Sequence, residues 1–338
     1  MPKQQNNLPE KFLERCEEIF GHHYFDKIKY TFIRRPVTFR VNTIKAKREE
    51  ILEILQREGF KVKRVSWFGD AFILENKSQG ELADLNMYKE GKIYLQSLAS
   101  MAPPLVLGAL PGEKVLDLTA APGSKTSQIA AMMQKTGELF ANEIDEIRFQ
   151  KLEHNMRLLG CTPVIPSEVE GSLQRVGMTN GEKWQFKLSN QDGSKFCAEY
   201  PAYFDKILLD APCGAEARII ADERRTFSFW DERKIKDICY RQRKLLFSAW
   251  SALKPGGILV YSTCTFAPEE NEEQIQRLME KFPGEVKVEK IDFKGIETAP
   301  VVTEWRGKKF DATIKNVLRI LPSKEMEGFF VTRLKKIN

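Results

Sequence analysis

From residue 92 onward, short β-rich apolar runs alternate with stretches at helical spacing. Such a rhythm commits a chain to a parallel sheet, because parallel neighbours need a crossover connection and a helix is the usual one. The spacing predicts a helix over 95–107, in spite of Pro103 and Pro104, then a strand over 114–118 and a helix over 124–133. A second strand and helix are expected over 138–142 and 146–159, with further strands over 186–189, 206–209 and 258–262. Two β-rich segments, 317–321 and 328–334, are close enough to pair antiparallel at the end of the chain. Residues 162–183 are polar, contain Pro and Gly, show no period and read as a surface excursion.

The preceding residues follow another pattern. Helical spacing over 8–30, a β-rich segment over 32–42 interrupted by Pro36, a short amphipathic helix over 48–58 and strands around Gly69 and Asp70 describe a small α+β unit. The expected division is 1–90 for that unit and 91–338 for the parallel-sheet domain. No apolar run is long enough to span a membrane, and the N-terminus lacks the apolar core of a secretory signal. Six scattered cysteines with no C-x-x-C pair, and three histidines, argue against a metal site and fit a reducing, cytoplasmic setting. A monomer is expected. Net charge is +6, and basic residues concentrate at 218–244 (9 Lys/Arg against 5 Asp/Glu) and at 305–338 (9 against 3). Such clusters suit a polyanion, although a solvated charged face has the same composition. Arg34, Arg35 and Arg40 are candidates for phosphate contact, with a solvated strand edge as the alternative.

Parallel sheets bind ligands at the carboxyl ends of their strands. Three strands here carry polar residues at that end: the segment from Asp117 to Lys125, the run ending Asp210-Ala211-Pro212-Cys213, and the run ending Ser262-Thr263-Cys264. The turn Thr119-Ala120-Ala121-Pro122-Gly123-Ser124-Lys125 has neither P-loop nor G-x-G-x-x-G spacing. Its small residues still let backbone approach a ligand at a helix N-terminus. Glu143, twenty positions past Gly123, ends the next strand, where a carboxylate accepts from ribose hydroxyls. A nucleoside without a phosphate cradle describes S-adenosylmethionine better than a dinucleotide. Asp192, after the third strand, can accept from an adenine amino group or serve simply as a turn residue.

The two strand-end thiols add covalent chemistry. Cytosine is a poor nucleophile at carbon 5, and a thiolate added at carbon 6 makes carbon 5 reactive. Asp210 is the candidate to meet charge at ring nitrogen 3, as an acid or as an electrostatic partner, and Lys125 to orient it. Position alone leaves Cys213 and Cys264 undecided as nucleophile. Cys16, Cys161, Cys197 and Cys239 read as buried apolar side chains.

These residues resemble the Sun/RsmB-type RNA (cytosine-5) methyltransferases. Residues 117–126 are similar to the family's cofactor motif, 210–213 to its fourth motif, 262–272 to its sixth, 328–334 to its closing strand, and Arg40-Val41-Asn42-Thr43 to the start of its small RNA-facing unit. The resemblance implies a class I methyltransferase fold: a Rossmann-like, mostly parallel seven-stranded sheet with a terminal antiparallel strand. It also implies Cys264 as nucleophile, Cys213 in product release, and cofactor contacts at residues 119–125, Glu143, Asp192 and Asp210. Where the family follows Pro-Cys with Ser-Gly, this chain has Gly214 and Ala215. The implied partner is tRNA or rRNA. Two alternatives stand beside this reading: amino-group methylation, disfavoured because no aromatic residue follows Pro212, and a non-catalytic RNA-binding or ribosome-assembly role.

Overall fold

The computed structural model describes residues 7–162, the backbone of 174–178, and 184–337. The excursion expected over 162–183 lies outside the described residues, apart from Thr162 and the 174–178 backbone. A small sheet holds β1 (Thr38–Val41), β2 (Val62–Arg64), β3 (Ala71–Leu74) and β4 (Ile93–Leu95) in the order β2-β3-β1-β4, all antiparallel. Its last strand therefore follows residue 90. Helix α1 (Glu10–Ile28) precedes this sheet; α2 (Arg48–Arg57), α3 (Gln79–Asp84) and α4 (Asn86–Lys89) connect its strands. The apolar face of α1 turns elsewhere: Phe12, Cys16 and Phe20 pack with Phe227, Phe266 and Trp305.

The large sheet contains β5 (Lys114–Asp117), β6 (Gly137–Asn142), β7 (Gln174–Met178), β8 (Trp184–Ser189), β9 (Phe204–Asp210), β10 (Leu253–Thr263) and β11 (Val286–Glu289). After a separate ribbon of β12 (Glu304–Trp305) and β13 (Lys308–Lys309), β14 (Leu318–Ile320) and β15 (Phe329–Lys336) complete it. The order is β11-β15-β10-β9-β5-β6-β8-β7, with β14 also on β15. Strands β8, β6, β5, β9 and β10 are parallel, and β15 enters antiparallel between β10 and β11. That is the class I methyltransferase arrangement, extended from seven strands to nine by β7 and β14.

Successive strand residues face opposite layers. Val115, Leu139 and Leu208 join the core that includes α5 (Leu98–Leu107), α6 (Ser124–Met132) and α7 (Glu146–Leu158). Leu116, Phe140 and Ile207 join the core that includes α8 (Gly193–Ala198), α9 (Glu232–Ala252) and α10 (Glu272–Lys281). Strand order reverses at β5, which opens a crevice at the carboxyl ends of β5 and β9.

Arg40 is not available to phosphate. Its side chain is buried, donates to Gln96 Oε1 at 2.8 Å and Ser127 Oγ at 2.5 Å, and lies over the Tyr94 ring. It ties the small sheet to the first turns of α6. A guanidinium on a strand of four buried residues needs such partners, because burying it unpaired costs several kcal/mol.

Candidate active site

Asp210, at the end of β9, is the register partner of Ser262 on β10. Ser262 Oγ donates to Asp210 Oδ1 at 2.8 Å, and Lys125 Nζ lies 2.6 Å from Oδ2. Lys125 sits in the first turn of α6, is buried, and also donates to Ser100 Oγ at 2.7 Å. Thr119 Oγ1 donates to the Asp210 carbonyl at 2.8 Å. The turn after β5, helix α6 and the ends of β9 and β10 thus converge on one carboxylate.

The turn itself is tightly held. Ala120 N–H donates to the Asn142 carbonyl at 2.8 Å, and the Ala121 and Pro122 carbonyls accept from Arg148 at 2.9 Å and Asn155 at 2.7 Å. Gly123 has φ +101°, a conformation that strains any residue with a Cβ, and a Cβ there would also push Met156 Cε, 2.4 Å away. Ser124 begins the helix behind it. Glu143 is buried: Oε1 accepts from Asp145 N–H at 3.1 Å, while Oε2 accepts no hydrogen bond among the described residues, with Arg148 Nη1 3.4 Å away. A buried carboxylate oxygen without a donor is costly, and ribose hydroxyls of a nucleoside are donors of the right kind. Beside it Ile144 is 64% exposed, an apolar surface suited to a flat ring that the sequence reading passed over. The residues present therefore fit a nucleoside cofactor. Asp192 caps α8: Oδ1 accepts from Ser194 N–H at 2.8 Å and Oδ2 from Lys244 Nζ at 3.2 Å. The Ser194 hydrogen bonds hold its carboxyl down at about 2.

The two thiols are brought together. Cys213 Sγ lies 3.3 Å from Cys264 Sγ, and both are free and partly exposed. The hydrogen bond with Cys264, followed by burial, pushes the Cys213 thiol well above its ordinary value.

Behind the thiols is a carboxylate network that the sequence reading missed, although two of its residues, Thr265 and Glu270, lie in the 262–272 motif. Glu270 Oε2 accepts from Gly214 N–H and from Gln242 Nε2, both at 2.9 Å, and Oε1 lies 3.3 Å from Thr265 Oγ1. Thr265 Oγ1 donates to Glu216 Oε2 at 2.9 Å. Burial, then the Glu216 charge, pushes Glu270 up to about 8. A protonated Glu270 Oε1 donates to Thr265, whose proton then goes to Glu216, so the donors run in one direction. Because the folded value exceeds the ordinary 4.5, the unfolded chain ionises first as pH rises. The stability from this group is full below about pH 4.5 and is lost as pH approaches about 8. Glu270→Gln should flatten that fall. Urea unfolding at about pH 5 and about pH 8 measures it, with the other groups common to both proteins.

The Gly214-Ala215 step has a local reading. A Cβ at Gly214 would stand 2.8 Å from Glu270 Oε1, so a serine there displaces the carboxylate. Ala215 adopts φ +55°, a left-handed conformation that favours glycine. Ala215→Gly should raise unfolding stability by about 1 kcal/mol, read in a chemical denaturation midpoint.

Residues 104–335 match the family described as 16S rRNA methyltransferase RsmB/F, and residues 8–98 match the N-terminal domain of 16S rRNA methyltransferase RsmF. Ribosomal RNA small subunit methyltransferase F of Vibrio atlanticus is 34% identical over 336 residues, covering 98% of this chain and 64% of that protein. The chain thus spans 64% of the length of this ribosomal relative. The tRNA (cytosine(49)-C(5))-methyltransferase of Pyrococcus abyssi is 33% identical over 336 residues, covering 97% of this chain and 96% of that one. A crystal structure of a methyltransferase homolog from Pyrococcus horikoshii superposes with a TM-score of 0.77 at 30% identity, covering 98% of this chain and 100% of the other. On the match over 104–335 and the full-length likeness to the archaeal enzyme, the chain belongs to the RsmB/F family of RNA methyltransferases.

Proposed function

We propose that this protein methylates carbon 5 of cytosine in tRNA or rRNA, with Cys264 as the nucleophile. The observation that carries this reading is the 3.3 Å contact of two free thiols beside the Asp210–Lys125 ion pair. Relatives named for rRNA and for tRNA cytosine support RNA as the substrate. Residues 1–90, whose sheet is closed by Ile93–Leu95, are assigned to RNA recognition, and 91–338 to methyl transfer.

S-adenosylmethionine would be held by residues 119–125, by Glu143 at the ribose and by Asp192 at the adenine amino group, and when bound it supplies an electrophilic methyl group. The chain's own part begins with the Cys264 thiolate bonding to carbon 6 of the ring. The carbon 5–carbon 6 electron pair is then available at carbon 5, and Asp210, fixed by Lys125 and Ser262, meets the charge developing at nitrogen 3. After carbon 5 is methylated, a base from solvent takes its proton, the electron pair restores the double bond, and Cys264 leaves as thiolate. Cys213, kept as a neutral thiol by its neighbour and by burial, donates toward Cys264 and assists that departure.

The test is nucleoside mass analysis with bisulfite sequencing of RNA incubated with the protein and S-adenosylmethionine. The expected product is 5-methylcytidine. A methyl group on an exocyclic nitrogen, or cofactor binding by calorimetry with no transfer, would overturn the reading.

A further inference from the structure

A groove of about 490 Å³ opens against Ala215, two residues past Cys213. Its walls come from the segment joining α1 to β1 together with Thr38, from Ser97 ahead of α5, from the loop after β9, and from the turn between β14 and β15. None of its residues is among those assigned to S-adenosylmethionine.

Three arginines and three glutamates line it, and two of the glutamates are engaged by other cations. Glu223 is taken by Arg34 at 2.5 Å and Arg225 at 2.9 Å, and Glu325 by Lys63 at 2.7 Å. Arg35 lines the groove with its Nε buried and without a hydrogen-bond partner among the described residues, its Nη2 donating to the Thr31 carbonyl at 3.1 Å. Arg218 is exposed and carries no ion pair among the described residues. Glu327 is the one remaining lining carboxylate among the described residues, and its charge acts on Arg35, which leaves Arg218 as the guanidinium with no lining carboxylate of its own. At the rim Phe229 is 51% exposed. Unspent guanidinium donors next to a bare aromatic face match a phosphate and a stacked base in one nucleotide. The volume lies within the roughly 300–1,000 Å³ range of small-ligand sites.

We propose that this groove takes the nucleotide adjoining the target cytosine, its phosphate on Arg35 and Arg218 and its base against Phe229. The proposal rests on the RNA methylation reading and adds to it the strand's path past Cys213.

The experiment uses the full chain and a fluorescein-labelled oligocytidylate of about twelve nucleotides, a length within the usual single-strand site range. Anisotropy titrations across a range of KCl give affinity and salt slope. Calorimetry with S-adenosylmethionine checks that each variant is folded, and tritiated-methyl incorporation into unfractionated RNA is followed in parallel. Phe229→Ala should weaken binding about 5- to 150-fold with the salt slope unchanged, and Phe229→Tyr should restore it. Arg218→Gln should reduce the slope by about 0.7. The groove assignment falls if both variants bind like the parent, or if the parent methylates RNA without binding the oligonucleotide. A parent that neither binds nor methylates RNA removes the underlying reading as well.

Discussion

Cys264→Ala is expected to lower methyl transfer to RNA by about 10⁴-fold or more, with S-adenosylmethionine affinity within a few-fold of the parent. The size follows from what the sulfur supplies. Without a bond at carbon 6, carbon 5 of cytosine has almost no nucleophilic character, and no other described thiol than Cys213 faces the crevice. Cys213 is a poor replacement: the hydrogen bond with Cys264, the largest cause of its raised ionisation, goes with the substitution, but burial and the Glu270 charge still hold its proton. The cofactor site should be untouched, because the turn after β5 and Glu143 make their hydrogen bonds without Cys264. Single-turnover transfer of a labelled methyl group measures the loss, and calorimetry measures the retained affinity. Appreciable transfer by the Cys264→Ala protein would remove the nucleophile assignment.

Cys213→Ala separates the two roles. Removing the neutral thiol leaves attack possible and slows departure of Cys264. A covalent protein–RNA complex should accumulate and survive a denaturing gel. If the two variants behave alike, the division of labour between the sulfurs is wrong.

Much of the crevice was legible in sequence because its parts sit at strand ends. The runs leading to Asp117, Asp210 and Ser262 are apolar and continuous, as buried parallel strands must be, so their polar ends stand out. What stayed hidden depends on contacts distant in the chain. Arg40 looked like a surface cation, yet β1 is buried and aims its guanidinium at Ser127, 87 positions away. Glu270 stood in a recognised motif without a role, because its function comes from Gly214 and Gln242, on other elements. Strand β4 is only three residues long, too short for a period-2 signal, so the small sheet's closure after residue 90 was invisible. At Asp192 the local part was legible: its Asp-Gly pair makes the N-cap of α8, while the pairing with Lys244, 52 positions away, was not.

Arg319→Met should destabilise the fold by about 3–5 kcal/mol, the cost of leaving a partner charge buried. Arg319 Nε and Nη2 each lie 2.6 Å from a different oxygen of Glu272, in a bidentate pair, and both residues are buried. Adding Glu272→Leu to Arg319→Met removes the stranded carboxylate and should return much of the lost stability, since apolar replacement of a buried pair is often close to neutral. Activity should not return with it. Arg319 Nη1 also donates, at 3.1 Å, to the carbonyl of Phe266, two residues past Cys264, and nothing in the double variant replaces that bond. The pair therefore does two separable things: it neutralises a charge on α10, and it anchors the loop that presents the nucleophile. Denaturant titrations and single-turnover rates on the two variants read these separately. Full recovery of rate in the stable double variant would mean that Cys264 is positioned by β10 alone.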